Sequence, residues 1–359
     1  MTTLKKHNHF WLFILLLSVA IESSAQNNNC VTLCPVITAK KIKYTPPPPD
    51  TTTPVPQEKV QKSFREFDDY LNENSSNYDN NLLAYVSNDT MYYKYERGQY
   101  SADEALPIAS ATKWLTAAVI MSLVDANKLS LTDNVGQYIP SFNDHGKGNI
   151  TIKQIFSHTS GIQVDTRFDQ RDEISLQAAI DSIAIYTDLL FSPGTQARYG
   201  SSAYKIAARI AEIVEGKPWE QIFQERIATK CEMINTSYGT TPNPHAGAGV
   251  RGSMNDYIKF LSMIHGFGKY KNVRVLSEAA VKTMELDQSN GIDTFYGLGV
   301  WRYDILNNIA REVSSPSAMG VHPWVNREKG YFGIIFTQAG FDKTINYNLT
   351  FRGIVKSKL

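Results

Sequence analysis

Strand-forming runs lie at opposite ends of this chain, with helical stripes between them. Near the start, "NLLAYVSNDTMYYKYERGQ" (81–99) has two apolar and aromatic stretches around Asn88-Asp89, which predicts a β-hairpin. Near the end, "FYGLGVWRY" (295–303) and "GYFGIIFTQ" (330–338) are rich in aromatic and β-branched residues and predict further strands. Between them the apolar residues recur at helical spacing. The stripes are Leu176, Ile180 and Ile183; Ile206, Ile210 and Ile213, ended by Gly216 and Pro218; Trp219, Ile222, Phe223 and Ile227; and Tyr257, Phe260, Leu261 and Ile264, stopped by Gly266. "VQKSFREFDDYL" adds an early helix through Val60, Phe64, Phe67 and Leu71, and "DKTINYNLTFRGIV" a closing one. Strands from both termini with helices between them predict an α+β fold: an antiparallel sheet flanked by helices, with a mostly α-helical domain inserted.

The first residues predict export. Lys5 and Lys6 precede the apolar run "FWLFILLLSVAI", and Ser23 and Ala25 fit a small-x-small processing site, so residues 1–25 are expected to be a signal peptide cleaved after Ala25. The run is short for a membrane span. Asn27 to Asn29 before Cys30 argue against a lipid-modified cysteine. Residues 26–56 contain "TPPPPDTTTPVP", an extended proline-threonine linker, so the folded domain is expected over 57–359 of the 359 residues. The mature protein is then periplasmic or secreted. Cys30 and Cys34 are close enough to pair there or to remain free, and Cys231 is expected to be a small buried hydrophobe. No cysteine pair has zinc-site spacing, so neither metal nor cofactor is expected. A formal net charge of +1 excludes a strong electrostatic field for nucleic acid.

One tetrapeptide carries chemistry. In "LPIASATKWLTAAVI" (106–120), Lys113 follows Ser110 by three residues at the mouth of an apolar helical run. If a helix begins near Ser110, the two side chains share a face and can hydrogen-bond. The hydroxyl then sits at the positive end of the helix dipole, where a developing anion is favoured. A solvated lysine is no base near neutrality, but an apolar neighbourhood, here Trp114 and Leu115, can lower its pKa by several units. For the pair taken alone, a capping serine followed by a surface lysine is the ordinary occurrence.

The context is what distinguishes this pair. "ASATKWLTAAVIMSLVDANKLSLTDNVGQYIPSF", "ITIKQIFSHTSGI", "FSPGTQARYGSSAYKIAARIAEIVEGKPW", "GAGVRGSMNDYIKFLSMIHGFGKYKNVRVLS" and "YGLGVW" follow one another in the chain. Together they resemble the serine β-lactamase-like hydrolases: class C β-lactamases, DD-peptidases and related esterases. The resemblance implies that Ser110 is the nucleophile, Lys113 its base and Tyr199 a partner in proton transfer, through an acyl-enzyme. His158, in the His-Thr-Ser-Gly block, is implied to be scaffold. The family's Tyr-x-Asn is Tyr199-Gly200-Ser201 here, which makes Ser201 a substrate-binding candidate with a shorter reach than asparagine. In place of Lys-Thr-Gly or His-x-Gly stands "EVSSPSAMGVHPWV", with Ser315-Pro316-Ser317 over the triplet. Ser315 and Ser317 are then substrate-binding candidates, and the Ala318 N–H joins that of Ser110 as an oxyanion hole. No cation remains at the triplet for a substrate carboxylate; Arg198 and His322 are candidate replacements. This favours an esterase or amidase acting on a small-molecule or peptide acyl substrate. The alternatives are a weak β-lactamase or DD-peptidase acting on cell-wall peptides, and a non-catalytic penicillin-binding-like sensor.

Overall fold

The structure, a computed structural model, describes residues 58–359. The expected signal segment, the whole linker, Cys30 and Cys34 lie outside the described residues.

The framework is a seven-stranded sheet. Its strands are β1 (Val60–Gln61), β2 (Leu82–Ser87), β3 (Met91–Arg97), β4 (Trp301–Leu306), β5 (Ile309–Ser314), β6 (His322–Asn326) and β7 (Tyr331–Phe336), in the order β1-β3-β2-β7-β6-β5-β4. The β2–β3 hairpin turns where expected, with the Asn88 carboxamide oxygen accepting from the Thr90 and Met91 N–H groups at 2.9 Å each. Strands from the two chain ends meet where Phe332 pairs with Ser87 and Phe336 with Leu83. Every pairing is antiparallel except β1 with β3, so the sheet is mixed rather than purely antiparallel.

Both faces of the sheet are covered, which is why its central strands are almost continuously apolar. Alternation divides them: β7 sends Tyr331 and Ile335 to one face and Phe332, Ile334 and Phe336 to the other. On the first face lie α1 (Arg65–Glu73) and the closing helix, joined through Phe67, Leu71, Trp324, Phe351 and Val355. The second face carries the larger core. It includes α2 (Thr112–Asp125), α3 (Leu176–Tyr186), α4 (Ser202–Glu215) and α5 (Met254–His265), and the closing helix completes the series as α6 (Phe341–Lys358). Every residue of α2 from Thr112 to Leu123 is buried, as befits a helix apolar on all sides. Cys231 is fully buried, as expected of a small hydrophobe.

Three local expectations are corrected. Val60 belongs to β1, where its N–H donates to the Thr90 carbonyl at 3.0 Å, and its side chain is exposed; the helix begins only after Phe64. A β-branched residue three or four positions before a helical stripe matches its spacing by coincidence. Ile213 is partly exposed, so the α4 stripe ends at Ile210. The strand expected over 295–303 starts only at Trp301. Before it, Gly299 adopts φ +78° and crosses α2 so closely that a Cβ would lie 2.7 Å from the Lys113 carbonyl oxygen. That crossing uses residues that read as a strand to anchor the helix that bears Lys113.

Phe351, fully buried with its ring 5.6 Å from that of Phe67, tests this assignment against Ile213. Phe351→Ala should cost about 3–5 kcal/mol, whereas Ile213→Ser should stay within about 0.5 kcal/mol, measured by urea unfolding.

Candidate active site

Ser110 sits in a tight helical turn, Ala109–Ala111, that runs directly into α2. The turn is strained: Ala109 has φ +41°, a left-handed value rare for a residue with a Cβ. It is tied down on both sides. The Ile108 N–H donates to the Val250 carbonyl at 3.0 Å, and the Gln338 carboxamide donates to the Pro107 carbonyl at 3.0 Å. The Ser315 hydroxyl donates to the Ser110 carbonyl at 3.3 Å and the Tyr257 hydroxyl to the Ala111 carbonyl at 2.8 Å.

Lys113, one turn on, is completely buried. Its Nζ lies 3.2 Å from Ser110 Oγ, 3.0 Å from Ser201 Oγ and 2.9 Å from the Gly247 carbonyl oxygen. Burial lowers its pKa to about 7, with the Asp165 carboxylate opposing that shift. Three oxygens suit both protonation states. An ammonium donates to all three; a neutral amine donates to Ser201 and Gly247 and offers its lone pair to the Ser110 hydroxyl. The Gly247 carbonyl can reach Nζ because its residue is glycine, since a Cβ there would come within 2.7 Å of the Ser201 Cβ. Nothing in the local sequence around Gly247 marks it as a partner of Lys113.

Tyr199 stands on the other side of the amine, with Nζ 4.7 Å from its ring centroid. Burial pushes its phenol up to about 12, with Ser110 acting in the opposite direction, so it is neutral at pH 7. Trp301 stacks on the ring at 5.4 Å, and the His158 ring lies 4.6 Å away. His158 has φ +60°, and burial together with Lys113 keeps it far below its usual pKa. It is thus a neutral packing element beside Tyr199. Ser201 is fixed by its N–H, which donates to the Val164 carbonyl at 2.8 Å.

The loop between β5 and β6 contacts the same place. Ser315 reaches the Ser110 backbone as described above. The Ser317 hydroxyl accepts from the Val321 N–H at 3.1 Å, a bond within its own loop. Ala318 is held through its carbonyl, which accepts from the Phe341 N–H at 2.9 Å at the start of α6. His322 is not available as a substitute cation: it is buried 2.7 Å from an Arg352 nitrogen, and Arg352 also pairs with Glu312. Burial and Arg352 keep His322 well below its usual pKa. Arg198 is exposed, and its backbone N–H donates to the His158 carbonyl at 2.9 Å.

The arrangement places a hydroxyl, a basic amine and a neutral phenol together, which is the equipment for acyl transfer. Comparison with known proteins agrees with this chemistry. The family profile described as Beta-lactamase matches residues 81–348. Penicillin-binding protein 4 of Amycolatopsis lactamdurans is 32% identical over 134 residues, 36% of this chain and 35% of that protein. Esterase/beta-lactamase LipL of Mycobacterium tuberculosis (strain ATCC 25618 / H37Rv) is 28% identical over 146 residues, 40% and 33% of the two chains. The first curated relatives are matched over only 35% to 60% of their own length. A crystal structure from Bacteroides dorei DSM 17855, assigned provisionally as a β-lactamase, superposes with TM-score 0.71 and 31% identity, covering 77% of this chain and 91% of that one. With most of its length inside that profile, the chain belongs to the Beta-lactamase family, whose members are hydrolases.

Proposed function

We propose that this protein is an exported hydrolase of esterase or amidase type that works through an acyl-enzyme on Ser110. The observation that carries the proposal is the position of Lys113 Nζ, 3.2 Å from Ser110 Oγ and fully buried, with its pKa lowered to about 7. In this mechanism neutral Lys113 takes the Ser110 proton as Oγ attacks the substrate carbonyl. The negative charge on the carbonyl oxygen is met by the N–H groups of Ser110 and Ala318. The proton passes through the Tyr199 phenol to the leaving group, and the carbonyl reforms as the acyl-enzyme. Water then attacks that ester and gives its proton back through the same pair, and Ser110 recovers its own.

Substrate preference follows from what is missing near the site. The triplet is Ser315-Pro316-Ser317 and has no cation, and His322 is committed to Arg352. A charge-assisted hydrogen bond to a substrate carboxylate is worth about 1.5–3 kcal/mol, so its loss favours uncharged esters or amides over β-lactams and D-Ala-D-Ala peptides. The esterase named among the relatives supports this reading, and the penicillin-binding protein named there supports the alternative. Export rests on residues 1–25; among the described residues no helix is long and apolar enough to cross a membrane.

A fluorophosphonate probe should label the protein, and Ser110→Ala should abolish labelling; persistence in that variant sinks the mechanism. Ligand binding without labelling or turnover would instead indicate a sensor. The labelling rate should rise with pH through a midpoint near 7, because the protonated amine present below it cannot accept the serine proton. Below the midpoint it should fall about tenfold per pH unit. Nitrophenyl esters should be turned over with a kcat/KM about 10- to 100-fold above that for nitrocefin, and a reversed order would establish the β-lactamase alternative.

A further inference from the structure

Beside the Lys113 site, two loops far apart in sequence bring Asp165, Asp169 and His245 together, with one potential ligand atom of each within 4.8 Å of the others. Asp169 is 3% exposed, and its two oxygens have different fates. Oδ2 accepts from Ser202 and from the Thr166 hydroxyl at 3.1 Å. Oδ1 is buried and has no hydrogen-bond partner. A buried carboxylate oxygen left without a donor is costly and calls for an explanation, such as a cation it would ligate. Lys205 does not answer it: its Nζ donates to the Asp169 backbone carbonyl at 2.8 Å and to the Asn243 side-chain oxygen at 2.5 Å. The His245 Nδ1 atom is likewise buried and unpartnered.

The two loops are braced against each other. Asn243 donates to the Phe168 and Arg171 carbonyls at 3.0 Å each, so His245 and Asp169 face one another across a fixed gap. Asp165 is exposed and can move. We propose that Asp165, Asp169 and His245 form a binding site for a first-row divalent cation such as Zn²⁺. Two carboxylate oxygens and one imidazole nitrogen suit such an ion better than Ca²⁺ or Mg²⁺, which favour all-oxygen shells. Tetrahedral Zn²⁺ at about 2.0–2.1 Å needs ligands about 3.4 Å apart, so binding draws the Asp165 side chain inward. The ion would relieve the repulsion between the two aspartates, a repulsion that, after burial, raises the Asp165 pKa. Burial lowers the pKa of His245 to about 4, which leaves the ring unprotonated at neutral pH.

The site would clamp parts of the catalytic centre. Val164, next to Asp165, accepts from the Ser201 N–H, and Gly247, two residues after His245, accepts from Lys113. The proposal stands independently of which residue is the nucleophile. It is tested by isothermal titration of the full chain with Zn²⁺ at neutral pH, with the fold of each variant checked by circular dichroism. One binding site is expected, weakened at least about tenfold both by Asp165→Asn, at an exposed position, and by His245→Ala. No binding overturns the proposal. So does binding that either folded variant leaves unchanged, as would be found if other histidines or thiols held the ion.

Discussion

A lysine amine sealed inside the protein is the condition on which the rest of the site depends. In water the ammonium would hold its proton at neutral pH, and Ser110 would have no base. Here the apolar wall of α2 and its surroundings remove the water, while three oxygens satisfy the nitrogen, Ser110 from one turn back and Ser201 and Gly247 from distant segments. Removing solvent lowers the pKa, and supplying acceptors keeps the charged form from being prohibitive. The two effects together hold the group near neutrality, where it can both take and return a proton. Tyr199 is shifted the other way by the same burial, so a neutral phenol lies beside an amine that titrates near pH 7.

Much of this was legible in the sequence where the relevant geometry is local. Ser110 and Lys113 are one helical turn apart, so a spacing of three residues already implies their meeting. The hairpin around Asn88 and the β7 run were equally readable, since strand alternation and turn chemistry act over a few residues. Contacts closed by the tertiary fold were not. Gly247 reaches Lys113 across 134 residues, and His245 comes close to Asp169 from a segment far along the chain. Composition near Gly299 suggested a strand because aromatic and β-branched residues surround it, yet the close crossing of α2 decides its conformation. Tyr199 and the loop after β5 were found only because the surrounding segments resemble a known family.

That loop shows how a charged contact can be absent without a hole being left behind. The Ser315 hydroxyl donates to the backbone of the Ser110 turn, and that of Ser317 accepts within its own loop. His322, one of the two candidate replacements, is built into a buried group with Arg352 and Glu312, and Arg352 projects from α6. Breaking such a group by removing one member is expensive, so the basic residues there serve the fold.

The tension at Ala109 has a consequence for how the protein would fail under stress. Its backbone is held in an unfavourable shape by a few hydrogen bonds from Val250, Gln338, Ser315 and Tyr257, none of them part of the sheet's ladder. If warming loosens those moorings first, the turn can relax and swing the serine away from its amine while both cores stay intact. Activity would then vanish at temperatures where spectroscopy still sees a native protein.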